Sequence, residues 1–429
     1  MIWEEVRQPM SSNVKVLVVG TTPEYIDWIR QRWPGRALFL TDPQVRRLAS
    51  EPKPSPDEEL CLNLVDFDQV RETLERHLVQ AGLSLNGIAA FDCESMKLAA
   101  TLARDYQVPY PSPEAVDNCR DKFRTKDLWR RQGLPCPRTR MIRSETEAIQ
   151  FFKELGRPLV LKPRSGSGSE LIFLGDSEEA VGRAFREIFD GLRRRRTQRL
   201  YRHPAGIAWI IAEEFIEGEE YSCDFLAQGE ELKIIRLSRK ILASDGPLGT
   251  ARGYIIPAAL PAGVDLEWFR RLVFDAARSV GLERTLGMLD FLVRDGEVFL
   301  LEIAPRPGGD CLPFLLRRAW NLDMLGLNLD LAQNLPLELP SGNGGRVYVG
   351  LRLHASHGGV LKKIDPGPLL QDRRVLEVRL MREPGHLIQM PPADYDSWYL
   401  GHALVRPDEN GDLSAQCQEI LHRLIVDIG

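Results

Sequence analysis

Short apolar runs and stretches of helical spacing alternate through the first quarter of the chain. Residues 14–20 form an apolar run closed by Gly20, and further runs of strand length lie at 37–40, 60–64 and 87–91. Between them, 23–33 and 68–81 carry the spacing of helices with one buried face. Strands alternating with helices predict a parallel sheet. Pro109, Pro111 and Pro113 interrupt regular structure, so the first α/β domain is set at 1–113.

The next region, 114–335, mixes both periods. Helices are expected at 121–132, stopped by Gly133 and Pro135, and at 146–155, stopped by Gly156. A short strand at 158–163 leads into a loop of Gly and Ser at 164–170, a strand at 171–174 and a helix at 177–191. The arginine run 193–196 leads into 198–206; such runs are more often a solvated face than a site. Beyond 206, strands are expected at 208–215, 221–227 and 232–238, with a helix at 265–280, which divides the region into 114–205 and 206–335. A helix at 312–320 precedes a Pro- and Gly-rich boundary at 336–345. Residues 346–429 read as a small α+β domain of short strands, closed by a helix at 414–426.

Residues 287–310 are the most telling. Apolar 291–293 and 298–303 flank Arg294-Asp295-Gly296-Glu297, and Asp-Gly between two such runs signals a hairpin. Antiparallel pairing brings Asp290, at the start of the first strand, to face Glu302, near the end of the second. Two buried carboxylates repel unless a cation lies between them. Beside Arg306 they suit Mg²⁺ carrying a nucleotide phosphate. An ordinary hairpin with solvated acids is the alternative that the pattern leaves open.

Composition narrows the partners. The 429 residues hold 43% hydrophobic and 27% charged side chains, those of a globular chain of several domains. Net charge is −5, from 61 acids and 56 bases, so nothing draws the chain generally to nucleic acid or an anionic membrane. The seven cysteines are scattered without a CxxC pair, which argues against a zinc site or disulfide frame and for a reducing, cytoplasmic setting. The N-terminus lacks the pattern of a signal peptide, and no apolar run is long enough to span a membrane. Gly20-Thr-Thr-Pro-Glu24 lacks the GxGxxG spacing of an NAD site.

Other pieces are weaker singly. Lys162 closes an apolar strand and is followed by Pro163 and Arg164-Ser-Gly-Ser-Gly-Ser169, whose bare N–H groups and hydroxyls suit phosphate oxygens. A plain flexible turn would read the same way, and the order is not that of a Walker A loop. Lys122 and Lys126 lie four apart on one helix face; a solvated face is the simpler reading, above all for Lys126. The segment 213–222 turns acidic directly after a buried strand, where acids and edge-strand backbone suit adenine and ribose, although a charged turn explains it locally.

The order of these pieces resembles the ATP-grasp superfamily: lysine helix, lysine strand, glycine loop, acidic strand end, then carboxylate hairpin with arginine. The resemblance covers 114–330 in detail. With a Rossmann-like α/β domain before it and a small α+β domain after it, it is similar to the carboxylate–amine ligase branch, alongside the carboxylases. It implies that Lys122 and Lys162 grip the α- and β-phosphates of ATP. Ser165, Gly166, Ser167, Gly168 and Ser169 form the flap over them. Glu213, Glu214, Phe215 and Ile216 supply the adenine strand, Glu214 and Ile216 through backbone, and Glu220 the ribose acid. Asp290 and Glu302 hold Mg²⁺ or Mn²⁺, and Arg306 serves the transferred phosphate and acyl intermediate. Many members carry asparagine two residues after the second carboxylate, where this chain has Ala304; that leaves the number of metal ions open. Pro307-Gly308-Gly309-Asp310 looks more like the amino-acid ligases than the purine branch.

The implied reaction is ATP-dependent amide formation through an acyl phosphate, on small-molecule carboxylate and amine substrates, by a cytoplasmic enzyme; homodimers are common among such folds, and the sequence leaves the oligomeric state open. Gly308 and Gly309, with Arg252, Gly253 and Arg318, are weaker candidates for holding the substrate. Phosphorylation of bicarbonate or formate, and nucleotide binding without ligase activity, are the rival readings.

Overall fold

The computed structural model describes residues 13–47, 49, 51–195, 198, 209–243, 246–339 and 345–429. Arg196, most of 198–206, and 340–344 of the expected boundary lie outside the described residues. No helix among the described residues is long and apolar enough to cross a membrane.

The chain opens with β1 (Val14–Val19), α1 (Pro23–Arg32), β2 (Ala37–Thr41), α2 (Pro43–Arg46), β3 (Glu59–Cys61), α3 (Phe67–Ala81), β4 (Ser84–Ala89) and α4 (Met96–Tyr106). The four strands form a parallel sheet in the order β3-β2-β1-β4, as their apolar runs predicted. The sequence reading did not foresee α4, where seven of the eight positions from Met96 to Ala103 are buried and blur the helical period.

Next come α5 (Pro113–Arg120), α6 (Lys122–Arg131), β5 (Thr139–Ile142), α7 (Glu145–Leu155), β6 (Leu159–Pro163), β7 (Phe173–Gly175), α8 (Glu178–Arg194) and β8 (Ile210–Glu214). Pro113, expected to break structure, instead starts α5: a first-turn proline forfeits no helical hydrogen bond, and Ser112 caps the turn by accepting from Ala115 N. The four strands make an antiparallel sheet, β5-β8-β6-β7, backed by α7 and α8 through Phe151, Val181, Ile188 and Leu161.

Then follow β9 (Glu219–Gln228), β10 (Glu231–Leu242), β11 (Ala251–Ile256), α9 (Leu266–Ser279), β12 (Arg284–Arg294), β13 (Glu297–Ala304), α10 (Leu312–Trp320) and α11 (Met324–Ala332). The last stretch holds β14 (Tyr348–His354), β15 (Gly359–Asp365), α12 (Gly367–Leu370), β16 (Val375–Leu380), β17 (Leu387–Ile388), β18 (Tyr399–Val405), α13 (Leu413–Leu421) and β19 (Ile425–Ile428). The closing helix thus stops at Leu421, and the β-branched Ile425 and Val426, expected in it, pair as a strand with β15.

One antiparallel sheet dominates, in the order β13-β12-β9-β10-β11-β14-β18-β16. It runs straight across the expected boundary at 336–345, because β11 pairs with β14. Its two faces differ. In β9, Tyr221, Cys223 and Phe225 enter a core with Phe269 and Phe291, while Glu220, Ser222 and Asp224 alternate onto the opposite face. The parallel sheet is fastened to the rest by α10 and α11. Phe314, Met324 and Leu325 share a core with Tyr25, Trp28 and Ile29. Arg36 pairs with Asp330 at 2.6 Å, and Trp28 Nε1 donates to Asp323 at 3.1 Å.

Candidate active site

The polar face of the large sheet is built by register. Asp290 on β12 lies opposite Glu302 on β13 and Ser222 on β9. The carboxylates do meet across the hairpin, but Asp290 sits well inside β12 rather than at its start, because the strand begins at Arg284. Lys240, one residue beyond the Arg239–Tyr221 pair, reaches Asp290 at 2.7 Å and Glu220 at 3.4 Å. Burial works against the Lys240 ammonium, yet Asp290 and Glu220 outweigh it and raise its pKa. Asp290 Oδ1 is buried without a hydrogen-bond partner, an open acceptor beside Glu302. Among the described residues no group of three or more His, Cys, Asp or Glu side chains is placed to hold a metal; the two carboxylates are paired with lysines.

Lys122 is brought to this face by its cap. Asp121 accepts from Arg124 N to start α6 and also accepts from Arg164 Nε at 2.7 Å, while Lys122 N donates to Arg164 O. This ties α6 to the end of β6, where Lys162 stands. Lys122 Nζ lies 2.5 Å from Glu302 Oε2. Lys162 Nζ lies 2.7 Å from Glu213 Oε2, its diagonal neighbour across β6 and β8. Lys126, expected on a solvated face, is only 2% exposed, donating to Glu213 at 3.1 Å and to Leu301 O at 2.6 Å. One turn along the helix from Lys122, it points the same way, into the protein. Burial, opposed by Glu213 and helped by Lys126 and Lys122, lowers the Lys162 pKa to about 8.

Lys122, Lys162, Glu213, Glu220, Lys240, Asp290 and Glu302 line one cavity of about 860 Å³. Its walls include Lys122, Lys162, Gly166 to Ser169, Glu213 to Ile216, Glu220, Asp290, Glu302, Arg306, Gly308 and Gly309. Gly168 and Ser169 turn the flap through positive φ, and Ser169 Oγ donates to Gly249 O at 2.9 Å. Arg306 places Nε and Nη2 3.3 and 3.2 Å from Cys93 Sγ and donates from Nη1 to Pro307 O. Glu214 turns its carboxylate to Arg157 at 2.5 Å.

Four candidates fall elsewhere. Ser165 precedes the part of the loop that reaches the cavity. Arg252 stacks over Trp398, 5.6 Å from its centroid, and Gly253 is enclosed in the sheet, where a Cβ would meet Gly350 O at 2.7 Å. Arg318 is exposed on α10, whose buried face carries Phe314, Leu315 and Leu316. Sequence reasoning also missed most of a second wall, Tyr254 on β11 and Arg352, Arg379, Tyr399 and His402 on the C-terminal strands, which stands beside Asp310 of the loop after Arg306. Arg352 Nε pairs with Asp310 at 2.6 Å, and Tyr399 Oη donates to the same carboxylate at 3.0 Å. Alternation in 219–228 and 231–242 signals Asp224, Arg236 and Lys240; nothing local signals the remote wall.

Known proteins resemble this chain in sequence and in fold. The profile of the ATP-grasp domain matches residues 119–310. The chain belongs to the ATP-grasp family of ATP-dependent carboxylate–amine ligases. A D-alanine–D-alanine ligase of Paracidovorax citrulli is 30% identical over 252 residues, 55% of this chain and 69% of that one. Mouse carnosine synthase 1 is 26% identical over 443 residues, 96% of this chain but 49% of that protein, so the chain spans about half its length. The fold is shared with an L-amino acid ligase from Bacillus licheniformis at TM-score 0.77 and 19% identity, covering 98% of this chain and 100% of that one.

Proposed function

We propose that this chain activates the carboxylate of an amino acid or small peptide with ATP and joins it to an amine. The observation that carries the reading is the single cavity lined by Lys122, Lys162, the Gly166–Ser169 flap, Glu302 and Arg306 together with Tyr25, Asp310, Phe314 and Tyr399. Nucleotide and two further reactants then share one space.

In this reading Lys122 and Lys162 hold the α- and β-phosphates and Glu220 the ribose. Adenine lies along 214–216 and is read by backbone, since the carboxylates of Glu213 and Glu214 are already engaged by lysines and Arg157. Asp290, with its open Oδ1, and Glu302 are the residues to hold Mg²⁺ or Mn²⁺, which when bound neutralises phosphate charge. A substrate carboxylate oxygen attacks the γ-phosphorus as the bond to ADP breaks, giving an acyl phosphate. The amine nitrogen then attacks the acyl carbon, phosphate leaves, and the amine loses a proton. Arg306 holds the negative charge that builds on the transferred group, and the flap keeps water out. We assign the nucleotide to 114–335, between 1–113 and 336–429.

The test is phosphate release with ATP, Mg²⁺ and a panel of amino acids and amines. Release that needs an acid, with amide found by mass spectrometry, is expected. Release with bicarbonate alone, or tight ATP binding with no release, would overturn the reading.

A further inference from the structure

One carboxylate serves two lysines. Glu213 Oε1 accepts from Lys126 Nζ at 3.1 Å, and Glu213 Oε2 pairs with Lys162 Nζ at 2.7 Å. The side chains of Lys126 and Glu213 are 2% and 3% exposed, so water answers neither charge. Lys162 and Glu213 line the cavity; Lys126 is not among its lining residues. The Lys126 ammonium is also fixed by Leu301 O at 2.6 Å, one residue before Glu302, and lies 5.8 Å from the centroid of the Trp129 ring. It therefore joins α6 to β8 and β13 at one point.

Two ammoniums and one carboxylate leave one positive charge over, and a buried charge needs an answer. Lys126 is already engaged by Glu213, Leu301 O and Trp129, so the surplus is answerable only at Lys162, which faces the cavity. The other charged groups near Lys162 do not answer it. Lys122 on α6 is a like charge, and Glu302 on β13 is itself paired with Lys122. Burial lowers the Lys162 pKa, Glu213 opposes this, and Lys126 and Lys122 lower it further. Without Lys126, Glu213 and Lys162 would form a balanced pair with little to draw the ammonium toward an anion. We propose that Lys126 is a positioning residue for the nucleotide: by taking one oxygen of Glu213 it keeps Lys162 short of a full counter-charge, so that phosphate completes it. Lys126 touches no ligand and acts through Glu213. This rests on the assignment of Lys162 to the phosphates made above.

The test is calorimetric titration of the full chain with Mg²⁺ and ADP across neutral and alkaline pH. In wild type the affinity should fall as pH rises through about 8, because Lys162 must then recover a proton to bind phosphate. Lys126→Met keeps the buried stem, removes the charge and leaves Glu213 and Lys162 balanced. Its affinity at neutral pH should be about tenfold weaker, the worth of one near-neighbour charge. Its fall with pH should begin about one unit higher, since the like charge beside Lys162 is gone. A packing role alone would weaken binding without that upward move. Lys126→Arg keeps the charge and should keep the wild-type profile. Thermal midpoints report folding. A folded Lys126→Met whose affinity falls at the wild-type pH overturns the proposal. So does an upward move in Lys126→Arg, even if the methionine variant does not fold. A wild-type affinity with no fall through this range removes Lys162 from the phosphates, and is seen before any variant is made.

Discussion

Lys122 and Glu302 hold each other: the lysine proposed to grip phosphate and the carboxylate proposed to hold the metal meet at 2.5 Å across 180 residues of chain. Burial opposes both charges, and each partner outweighs it for the other, so the Lys122 pKa rises and the Glu302 carboxyl falls well below the usual range. Nucleotide and metal would replace one ion pair with two better-matched ones, so the pair keeps the site charged and ready.

Glu302→Gln should therefore abolish turnover while the chain stays folded. The Glu302 side chain is 41% exposed, so solvent screens the pair and the stability lost is about 1 kcal/mol rather than the several that a sealed pair would cost. Circular dichroism melting beside the phosphate-release assay checks both halves. Normal activity in this variant would remove Glu302 from the chemistry.

Nucleotide affinity should depend on pH through Lys162. Its pKa, lowered to about 8, lies below the ordinary lysine value near 10.4. Between those values the unfolded chain keeps a proton that the folded chain has released, so this group adds stability as pH rises through that window. Phosphate binding runs the other way, because it needs the ammonium. Calorimetry in two buffers of different ionisation heat should show uptake of about one proton per ATP near pH 9 and almost none near pH 7, following linkage. Equal uptake at both values would remove Lys162 from the phosphates.

Local pattern carried the sequence reading where one strand or helix sufficed. The parallel sheet was legible from apolar runs, and the Asp290–Glu302 pairing from Asp-Gly between two strands. Lys126 was misread because only a tertiary neighbour, Glu213, makes burial of that ammonium tolerable. The wall of Arg352, His402 and Arg379 was invisible for a related reason: it exists through the β14-β18-β16 register, which is set by pairing over long sequence distances. Pro113 and the 414–426 segment misled because a proline at a helix start and β-branched residues after a helix satisfy either reading locally.

A buried fork positions the loop after Arg306. Arg236 and Asp224 are 0% and 1% exposed and bond through Nε and Nη2 at 2.7 and 2.9 Å. Asp224 Oδ1 also accepts from Gly308 N at 2.8 Å. A Cβ on Gly308 would meet Arg236 Nη2 and Leu312 Cδ1 at 2.9 Å each. Gly308→Ala should cost about 1–3 kcal/mol, the usual range for overpacking, and lower kcat more than it changes KM for ATP. Asp224→Ala should cost about 3–5 kcal/mol by leaving a charge buried alone. Thermal melts and ATP titrations of both variants separate the two effects.

Arg195 belongs to a run that reads as a solvated face, yet it is 6% exposed. Its Nη2 donates to Pro392 O at 2.9 Å and Ala393 O at 3.0 Å, and its guanidinium stacks on Tyr395. Nε also faces Glu170, at 3.7 Å, at the end of the flap. One arginine thus joins α8, the flap and the C-terminal loop before β18. Removing it should leave nucleotide contacts in place but loosen the cover over the cavity. Water then competes with the amine for the acyl phosphate. In Arg195→Gln, ATP consumed per amide formed should rise severalfold, while KM for ATP changes by less than about threefold, the separation expected when cover rather than contact is lost. Parallel measurement of phosphate and amide checks this, and an unchanged ratio would show that the flap closes without Arg195.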